Sequence, residues 1–480
     1  MVIRFGTGGW RVPQEDFTPE NIYKVVNGIG AYIIDKYTWC FNKKAIQVVI
    51  GYDNRDNSLR AAIEAFNILK NKYDFTVKVF SSSVSTPTTM KYVADKDFDL
   101  GIMITASHNP ANFNGIKVID IGGRDATVQT TSSIECFCNS SEKEDVYKYT
   151  YITDTYLQNK INAYEYEQKY VKGILSDINV DKIKKKNFNI VFDNMHGSGS
   201  SLFYELTSKL NVKSEVLNFT GVFKDKDYVP CPTEQNNENV SKLIKENPHK
   251  YDFGISFDGD GDRLGIIDEF GNFIDGNDML CLFAWYLYSE GKIHSPVAVS
   301  CCSTDRVSAI ASSYGYSVVE TPIGVKYLVD EILNNEIEFA GEQNGGVIFP
   351  KHLLGKDSIC TFAMLLDMLA VTDKTLSELI DFLYIRYGKT YCISEQVRYV
   401  GNRDNIKKLI ENHLPKVNKK IQSTIRIDGV KLYFDNNDFL MYRLSGTEPT
   451  IRILVESPSE QQSKEYVELC KKFFKELGVI

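Results

Sequence analysis

Strand-like and helix-like segments alternate along most of the chain, and this alternation limits the folds that it can adopt. In the first stretch, apolar segments at 46–52, 76–80 and 99–104 are separated by helix-like segments. Two later stretches repeat the pattern, with strand-like segments at 189–193, 214–218, 251–257, 297–301 and 338–340. Alternation of this kind predicts βαβ units and a largely parallel sheet in each stretch.

The region after residue 389 has a different pattern. Its strand-like segments lie at 424–427, 431–434, 439–444 and 450–456, and a helix-like segment ends the sequence. The run from Ser457 to Glu460 has the form of a capping box that opens this helix, because serine and a glutamate three residues later satisfy free backbone N–H groups. These features predict a small α+β unit.

Charge and composition narrow the class of protein. The formal net charge is -8 and the isoelectric point is about 5.5, which argues against a general nucleic-acid-binding protein. No apolar run reaches the ~20 residues that a membrane-spanning helix needs, and the first residues contain no signal-peptide core. The 10 cysteines form no CxxC pair. We therefore expect a cytoplasmic protein with reduced thiols that binds neither nucleic acid nor membrane.

Three aspartates alternate with two glycines between Asp258 and Arg263, directly after an apolar segment. Glycines allow the tight turn that would bring Asp258, Asp260 and Asp262 around one ion, and an all-oxygen shell suits Mg²⁺. A solvated acidic turn is one alternative. An EF-hand is another, but position six of that loop would be Arg263 where glycine is required, and the flanks are β-like.

Ser107 follows another apolar segment, in the run from Thr105 to Pro110. This position predicts a serine at the carboxyl end of a buried strand, where open α/β folds place their chemistry. A G-x-S-x-G elbow is absent, and His108 does not form a dyad by adjacency alone. Lys117 lies ten residues further on and would supply an ammonium group to the same site. A helix-capping serine and a surface lysine are the alternatives.

The segment from Arg443 to Arg452 contains Ser445-Gly446-Thr447 between two predicted strands. Its backbone N–H groups, its two hydroxyls and the flanking arginines would suit a dianionic phosphate. A hairpin turn with incidental charges fits this segment equally well. Neither G-x-x-x-x-G-K-[ST] nor G-x-G-x-x-G occurs, so the sequence gives no support for binding of ATP or NAD.

Together these motifs resemble the α-D-phosphohexomutase family, the phosphoglucomutases and phosphomannomutases. Six segments occur in the order typical of the family and cover nearly the whole chain. They are Phe5 to Arg11, Thr105 to Pro110, Asp258 to Arg263, Thr321 to Lys326, Gly341 to Gly346 and Arg443 to Arg452. The resemblance implies three similar mixed α/β sandwich domains and a C-terminal α+β domain around a central cleft. We place these domains at 1–150, 151–273, 274–385 and 386–480.

The resemblance also implies a role for each motif. Ser107 would be the phosphorylated residue, and its phosphate would complete a Mg²⁺ site with the three aspartates. Lys117 would act as general acid and base with support from Arg11, while Arg263 would add positive charge and His108 would lie beside the serine. The implied substrate-binding residues are Glu342, Asn344, Gly324 and Lys326. The implied phosphate-binding residues are Arg443, Ser445, Gly446, Thr447 and Arg452.

The implied reaction is phosphoryl transfer between the 1- and 6-positions of a hexose phosphate through a bound hexose 1,6-bisphosphate. The segment from Gly341 to Gly346 resembles the sugar-binding loop of the family and is the sugar loop of this chain. It departs from the usual Gly-Glu-x-Ser-Gly-His, since Asn344 replaces the serine and Gly346 replaces the histidine. The choice among glucose, mannose and glucosamine phosphates therefore stays open, and a phosphoglucosamine mutase is the main alternative. A phosphoserine-dependent phosphatase and a non-catalytic sugar-phosphate sensor are two further hypotheses. The phosphatase would usually need a second metal site, for which the sequence offers no ligand cluster.

Overall fold

The computed structural model describes residues 1–6, 8–37, 46–140, 154–219, 223, 225–435, 438–445 and 449–480. The chain divides into two compact units. The first comprises Met1–Gly276 and Glu338–Ser377, and the second comprises Asn277–Ile337 and Glu378–Ile480. Among the described residues, no helix combines the length and the apolar character that crossing a membrane requires.

The first sheet contains seven strands. Its elements are β1 (Trp10–Pro13), α1 (Pro19–Tyr37), β2 (Gln47–Tyr52), α2 (Ser58–Tyr73), β3 (Thr76–Phe80), α3 (Thr86–Asp95), β4 (Leu100–Ile104), β5 (Phe113–Asp120), β6 (Arg124–Asp125), α4 (Val128–Ser140), α5 (Asp154–Gln158) and β7 (Lys160–Ile161). The strand order is β1-β5-β4-β2-β3-β7, with β6 beside β5. Strand β2 is parallel to β3 and β4, as the alternation predicted, whereas β5 is antiparallel to β4 and β1. The sequence analysis missed β5, because Lys117 and Asp120 interrupt its apolar residues.

The second sheet contains five strands. Its elements are α6 (Ala163–Leu175), α7 (Val180–Lys186), β8 (Asn189–Asp193), α8 (Ser200–Leu210), β9 (Lys213–Leu217), a 3-10 helix (Gln235–Asn237), α9 (Glu238–Glu246), β10 (Phe253–Phe257), β11 (Leu264–Ile267) and β12 (Phe273–Ile274). The order is β12-β11-β10-β8-β9. Strand β10 is parallel to β8 and antiparallel to β11.

The next elements belong to both units. The second unit continues with α10 (Gly276–Ser289), β13 (Val297–Ser300), α11 (Arg306–Ser313), β14 (Val318–Thr321) and α12 (Val325–Asn335). The first unit is completed by β15 (Ala340–Glu342), β16 (Gly346–Ile348) and α13 (Ser358–Thr372). Strands β13 and β14 are parallel, and β15 and β16 form an antiparallel pair. The strand predicted at 338–340 thus lies two residues further along, because buried Glu342 belongs to the strand and not to a loop.

The last elements form an antiparallel sheet with two helices in the second unit. After α14 (Leu376–Tyr387) they are β17 (Tyr391–Arg398), α15 (Arg403–Asn412), β18 (Ser423–Ile425), β19 (Val430–Tyr433), β20 (Phe439–Leu444), β21 (Thr450–Ser457) and α16 (Glu460–Glu476). The order is β17-β21-β20-β19-β18. The cap of α16 is Ser459, whose side chain accepts from the N–H of Gln462. Ser457 is instead the last residue of β21, where its pairing with Tyr391 keeps it in the sheet.

These sheets confirm the predicted class of mixed α/β units followed by an α+β unit. The first predicted domain boundary lies outside the described residues, and the other boundaries stay predictions. All residues of β4 and β10 are buried, and burial of each large apolar side chain contributes roughly 1.5–3 kcal/mol. Both strands end where polar residues begin, so the two loops that follow, at Thr105 and at Asp258, start from fixed points of the core.

Candidate active site

A buried arginine holds the loop from Thr105 to Pro110, the serine loop, in place. The guanidinium of Arg55 donates to the carbonyl oxygens of Ser107 and Asn109, each at 2.6 Å, and to that of Pro110 at 2.6 Å. Asp53 pairs with Arg55 Nε at 3.3 Å, and both side chains are almost fully buried. Sequence analysis missed this pair. Its only signal was the presence of two charged residues directly after the apolar strand β2.

Ser107 has a strained backbone and a defined side-chain direction. Its φ angle of 52° lies in the left-handed region, where strain is typical of functional sites. Its N–H donates to Thr105 Oγ1 at 2.8 Å, and its Oγ donates to Asp258 Oδ2 at 3.1 Å. The serine loop and the loop from Asp258 to Arg263, the carboxylate loop, are therefore in direct contact.

A glycine permits this contact. A Cβ at Gly259 would lie 2.5 Å from the carbonyl oxygen of Ser107, which is closer than any side chain tolerates. The first glycine of the Asp-Gly-Asp-Gly-Asp sequence thus serves the approach of the two loops. The second, Gly261, has a φ of 69° and makes the turn itself.

The three aspartates lie close enough together to hold one ion. One oxygen from each of Asp258, Asp260 and Asp262 lies within 4.8 Å of the others, and all three residues are buried. The Oδ1 atoms of Asp260 and Asp262 are buried without a hydrogen-bond partner. Burial raises the pKa of Asp258 well above its usual range, and its two neighbouring carboxylates raise it further. A divalent cation would satisfy the two Oδ1 atoms that accept no hydrogen bond and relieve the repulsion, so these residues fit Mg²⁺.

Lys117 lies on β5 and reaches the same carboxylates. Its Nζ lies 2.6 Å from Asp260 Oδ2 and 3.1 Å from Asp262 Oδ2, with only 5% of the side chain exposed. Burial lowers the pKa of Lys117, but Asp260 and Asp262 outweigh burial and raise the pKa above its usual value. The amine is therefore a protonated ammonium group, and it contacts the Oδ2 atoms of the two aspartates and not their Oδ1 atoms.

A second lysine was missed by the sequence analysis. Lys356 is 8% exposed, and its Nζ lies 3.4 Å from Asp262 Oδ1. Gly346 makes room for it, because a Cβ at that position would lie 2.2 Å from Lys356 Cδ. The glycine that replaces the usual histidine of the sugar loop is thus explained by the path of this lysine. Burial would raise the pKa of Asp262, but Lys356, Lys117 and Arg263 lower it well below its usual value.

The remaining predicted catalytic residues contact Ser107, the loop that contains it or Asp262. His108 Nδ1 lies 3.3 Å from Ser107 Oγ. Burial, together with Arg263 and Arg11, lowers the pKa of His108 well below its usual value, so the imidazole is neutral. Arg11 donates to Asn109 Oδ1 at 2.9 Å and to the carbonyl oxygen of Gly8 at 3.0 Å. Arg263 Nε lies 3.8 Å from Asp262 Oδ1.

The sugar loop is attached to the carboxylate loop. Asn344 donates to Glu342 Oε2 at 3.2 Å and accepts from the N–H of Gly346 at 3.1 Å. The N–H of Leu264, the first residue of β11, donates to the carbonyl oxygen of Gly345 at 3.1 Å. Glu342 and Asn344 therefore belong to the same unit as Ser107 and the aspartates.

The other predicted binding residues belong to the second unit. Gly324 precedes α12 and Lys326 lies in its first turn. Arg443 and Arg452 are paired neighbours on β20 and β21. Ser445 is buried and donates its N–H to Thr450. Gly446 and Thr447 lie outside the described residues.

Arg403 is a further residue of this region that the sequence analysis missed. Its Nη2 donates to the carbonyl oxygen of Ser445 at 3.0 Å. Nothing in the sequence marked it, because it lies on α15, far from the phosphate-binding motif along the chain.

Comparison with known proteins identifies the family. Models of the phosphoglucomutase/phosphomannomutase alpha/beta/alpha domains I, II and III match residues 2–145, 168–271 and 275–387, and the model of the C-terminal domain matches residues 402–471. The phosphoglucomutase/phosphomannomutase of Thermococcus kodakarensis is 30% identical over 484 residues, covering 98% of each protein. The phosphoglucosamine/phosphogalactosamine mutase of Sulfurisphaera tokodaii is 28% identical over 477 residues, also covering 98% of each.

Solved structures share the fold. Phosphoglucomutase (parafusin) from Paramecium, in an open form, matches with a TM-score of 0.78 at 22% identity, covering 98% of this chain and 94% of that one. The N-acetylphosphoglucosamine mutase of Aspergillus fumigatus, with GlcNAc-6P and magnesium, gives 0.61 at 16% identity, covering 98% and 95%. A variant of the same enzyme with glucose 1,6-bisphosphate gives 0.59 at 14% identity, covering 100% and 96%.

The chain belongs to the phosphoglucomutase/phosphomannomutase family, the α-D-phosphohexomutases, as its six motifs implied. It is an isomerase of the phosphohexomutase type, which moves a phosphoryl group reversibly between the 1- and 6-positions of a hexose phosphate.

Proposed function

We propose that Ser107 is the phosphoryl carrier of this mutase. The observation that carries the proposal is the hydrogen bond of 3.1 Å from Ser107 Oγ to Asp258 Oδ2, which joins a strained serine to three buried carboxylates. A phosphate on Oγ would project toward the free oxygens of the carboxylate loop and toward the cations around it. No helix-capping function explains a serine in this position.

We infer that Asp258, Asp260, Asp262 and the Ser107 phosphate hold one Mg²⁺. The buried carboxylate oxygens without hydrogen-bond partners support this assignment. The ion supplies charge neutralisation for the transferring phosphoryl group. The Aspergillus fumigatus enzyme with the same fold binds magnesium, which agrees with the donor set of this chain.

The phosphoryl group moves in two balanced steps. In the first, a sugar hydroxyl attacks the phosphorus on Ser107, so a sugar O–P bond forms while the Ser107 Oγ–P bond breaks, and Lys117 gives a proton to the departing Oγ as it takes the proton of the attacking hydroxyl. The resulting hexose 1,6-bisphosphate reorients in the site, so that its other phosphate lies next to Ser107. In the second step the Ser107 hydroxyl attacks the other phosphate, so an Oγ–P bond forms while the sugar O–P bond breaks, and Lys117 gives a proton to the departing sugar oxygen as it takes the proton of the Ser107 hydroxyl. Substrate and product differ only in whether the phosphoryl group is on the 1- or the 6-position of the sugar, so the same two steps also run in the opposite direction.

Lys117 is the proton-carrying group in this scheme. Its Nζ is protonated and fixed by Asp260 and Asp262, so it is ready to donate a proton to the leaving sugar oxygen and to take it back in the opposite direction. Arg11 and Arg263 add positive charge around the transferring group. Neutral His108 lies beside Oγ and offers a nitrogen to the serine hydroxyl.

Lys356 extends this cationic surround. It neutralises Asp262 together with Lys117, and it is buried with its charge paired. We propose that it places a fourth positive group near the transferred phosphoryl, in a position that Gly346 leaves open.

Glu342 and Asn344 are proposed to bind the sugar hydroxyls, since a carboxylate accepts hydrogen bonds and an amide both donates and accepts them. We propose that Gly324 and Lys326 contribute to substrate binding. Arg443, Ser445, Gly446, Thr447 and Arg452 would bind the phosphate that is not reacting. These residues, the phosphate clamp, would bind the dianionic phosphate and not the sugar, so they would accept both orientations of the intermediate.

The preferred sugar is proposed to be glucose or mannose, with glucosamine as the alternative. The relative at 30% identity is named for glucose and mannose, and the relative at 28% identity is named for amino sugars. Measurement of kcat/KM for the 1-phosphates of glucose, mannose and glucosamine decides between them. A ratio above about tenfold in favour of glucosamine would overturn the first choice, since tenfold corresponds to about 1.4 kcal/mol of discrimination.

We propose that the protein acts in the cytoplasm on small hexose phosphates, without nucleic-acid or membrane partners. All nine cysteines among the described residues are free thiols, which supports a reducing compartment.

The test of the central proposal is Ser107→Ala. The variant should retain the fold, because a loop serine contributes little to a core, and should lose most of its activity. Intact-mass measurement should find a phosphate-sized adduct on the wild type and none on the variant. Ser295→Ala is the matched control, since Ser295 is a buried loop serine of the second unit. Wild-type turnover in Ser107→Ala would overturn the assignment.

A further inference from the structure

A second group of metal-ligating side chains lies in the first unit, apart from the three aspartates. His352, Asp357 and Cys360 each present one ligand atom, and these atoms lie within 4.8 Å of one another. His352 stands in the turn before α13, Asp357 is the N-cap of that helix, and Cys360 is in its first turn. The proposed phosphoryl transfer uses none of these side chains.

Asp357 divides its two oxygens between two tasks. Oδ1 caps α13 by accepting from the N–H groups of Ile359 at 3.0 Å and Cys360 at 3.2 Å. Oδ2 faces away from the helix, where it accepts from the hydroxyl of Tyr170 at 2.5 Å. The same oxygen lies 3.1 Å from His352 Nε2. The second oxygen is therefore available to an ion without loss of the cap.

His352 Nε2 is the unexplained atom of the group. The side chain is only 6% exposed, and Nε2 is buried without a hydrogen-bond partner. Its contact with Asp357 is close in distance but lacks the direction of a hydrogen bond. An unsatisfied buried polar atom costs about 1–3 kcal/mol, and coordination of a metal would remove that cost.

We propose that His352 Nε2, Asp357 Oδ2 and Cys360 Sγ bind one Zn²⁺. Nitrogen, oxygen and sulfur together form a donor set typical of zinc and unlike the all-oxygen set of the aspartates. Ligand bonds of about 2.0–2.3 Å in a tetrahedron separate ligand atoms by about 3.3–3.7 Å. The observed N···O distance of 3.1 Å is close to this spacing, and Cys360 Sγ lies within 4.8 Å of both atoms. Water takes the fourth position.

The surroundings agree with this chemistry. Tyr170 donates to the coordinating carboxylate, as outer groups of metal sites commonly do. Cys360 is a buried free thiol, and a cysteine that binds zinc must give up the proton of its thiol. Zinc binding therefore releases that proton to solvent and leaves the sulfur as a thiolate.

The zinc would stabilise the start of α13, which contacts the carboxylate loop. Ser358 Oγ donates to the carbonyl oxygen of Gly261 at 2.7 Å, and Lys356 pairs with Asp262. Both residues are neighbours of Asp357 in the sequence. A metal at the helix start would therefore restrict the residues that position Lys356, while taking no part in phosphoryl transfer.

The test measures zinc directly on the full-length protein with Mg²⁺ in excess. The wild type is expected to retain about one zinc per chain after dialysis, measured by mass spectrometry of the metal. Competition with a chromophoric chelator should show at least a tenfold loss of zinc affinity in Cys360→Ala and in His352→Gln. Cys470→Ala, which removes a buried thiol of the second unit, should bind zinc as the wild type does.

Co²⁺ provides a measurement that needs no variant. Binding of Co²⁺ to the wild type should produce the intense absorption of a thiolate–cobalt bond and release one proton. A wild type that gives no such absorption and retains no zinc would overturn the proposal. Zinc affinity that falls in Asp260→Asn but not in Cys360→Ala would overturn it as well, because the ion would then lie at the three aspartates. Neither result would affect the assignment of Ser107.

Discussion

Asp428 Oδ2 accepts a hydrogen bond of 2.5 Å from Arg443 Nη1, and the two residues also form an ion pair. The same oxygen lies 3.4 Å from the N–H of Ile323, within the segment that contains Gly324 and Lys326. Arg443 Nε is buried without a hydrogen-bond partner. One corner of the guanidinium is thus fixed by Asp428, which sets the orientation of the arginine that we propose to bind phosphate.

We expect Asp428→Asn to weaken phosphate binding through the loss of this orientation. A hydrogen bond to a charged group contributes about 1.5–3 kcal/mol, so KM should rise roughly 10-fold or more. The decrease in kcat should be smaller, because Arg443 itself remains. Steady-state kinetics with Asp404→Asn as an exposed control in the same unit checks this. Equal KM values for the variant and the wild type would remove Asp428 from the phosphate clamp.

Removal of one carboxylate from the aspartate triad should weaken metal binding and slow the reaction. Each of Asp258→Asn, Asp260→Asn and Asp262→Asn should weaken Mg²⁺ binding and slow the reaction. Asp262→Asn should do more, since it also leaves Lys117 and Lys356 without a carboxylate that both contact. The measurement is the Mg²⁺ concentration for half-maximal activity after treatment with EDTA. Full turnover in EDTA would contradict a role for the metal.

The sequence allowed prediction of the positions of the two central loops, but not of the residues that support them. Ser107 and Asp258 follow apolar strands, and a change from apolar to polar residues at a strand end is visible in any sequence. Arg55 and Lys356 are single buried charges that act on loops far away from them along the chain. Such pairs have no periodic pattern, since only the tertiary fold brings them together.

Two strands were missed or wrongly bounded because they contain buried charged residues. The sequence analysis assigned Lys117 to no strand, but it lies on β5, where Asp260 and Asp262 compensate its charge within a buried strand. Glu342 extended β15 beyond its predicted end for a similar reason, because a buried carboxylate in a site resembles a loop residue in the sequence. Polar residues of an active site thus obscure the strands that carry them.

Gly346 and Lys356 should depend on each other. In Gly346→Ala the new Cβ would lie 2.2 Å from Lys356 Cδ, so the lysine must leave its position beside Asp262. We expect activity to fall at least tenfold. Lys356→Ala should also lose activity, but the double variant should lose no more than Lys356→Ala alone, because the clash no longer exists. Strictly additive losses in activity would show that the two positions act independently.

Glu167 should make the stability of the protein depend on pH. This residue of α6 accepts a hydrogen bond from Ser201 of α8, and its other oxygen is buried without a partner. Burial raises the pKa of Glu167 to about 7, whereas an unfolded glutamate has a pKa of about 4.3. The folded protein therefore holds this proton more tightly than the unfolded chain does. Its stabilising effect is complete below about pH 4 and is lost as the pH rises to about 7.

Glu167→Gln imitates the protonated form at every pH. The variant should be more stable than the wild type at pH 8, by an amount on the order of 3 kcal/mol, and the difference should shrink to about 1 kcal/mol at pH 5. Thermal unfolding midpoints at the two pH values measure this difference, and subtraction of the wild type removes the effect of other titrating groups. Glu165→Gln is the control, because Glu165 lies on the same helix, is exposed and pairs only with Lys169 among the described ion pairs. A difference between Glu167→Gln and the wild type that stays constant from pH 5 to pH 8 would show that the buried carboxyl does not titrate in this range.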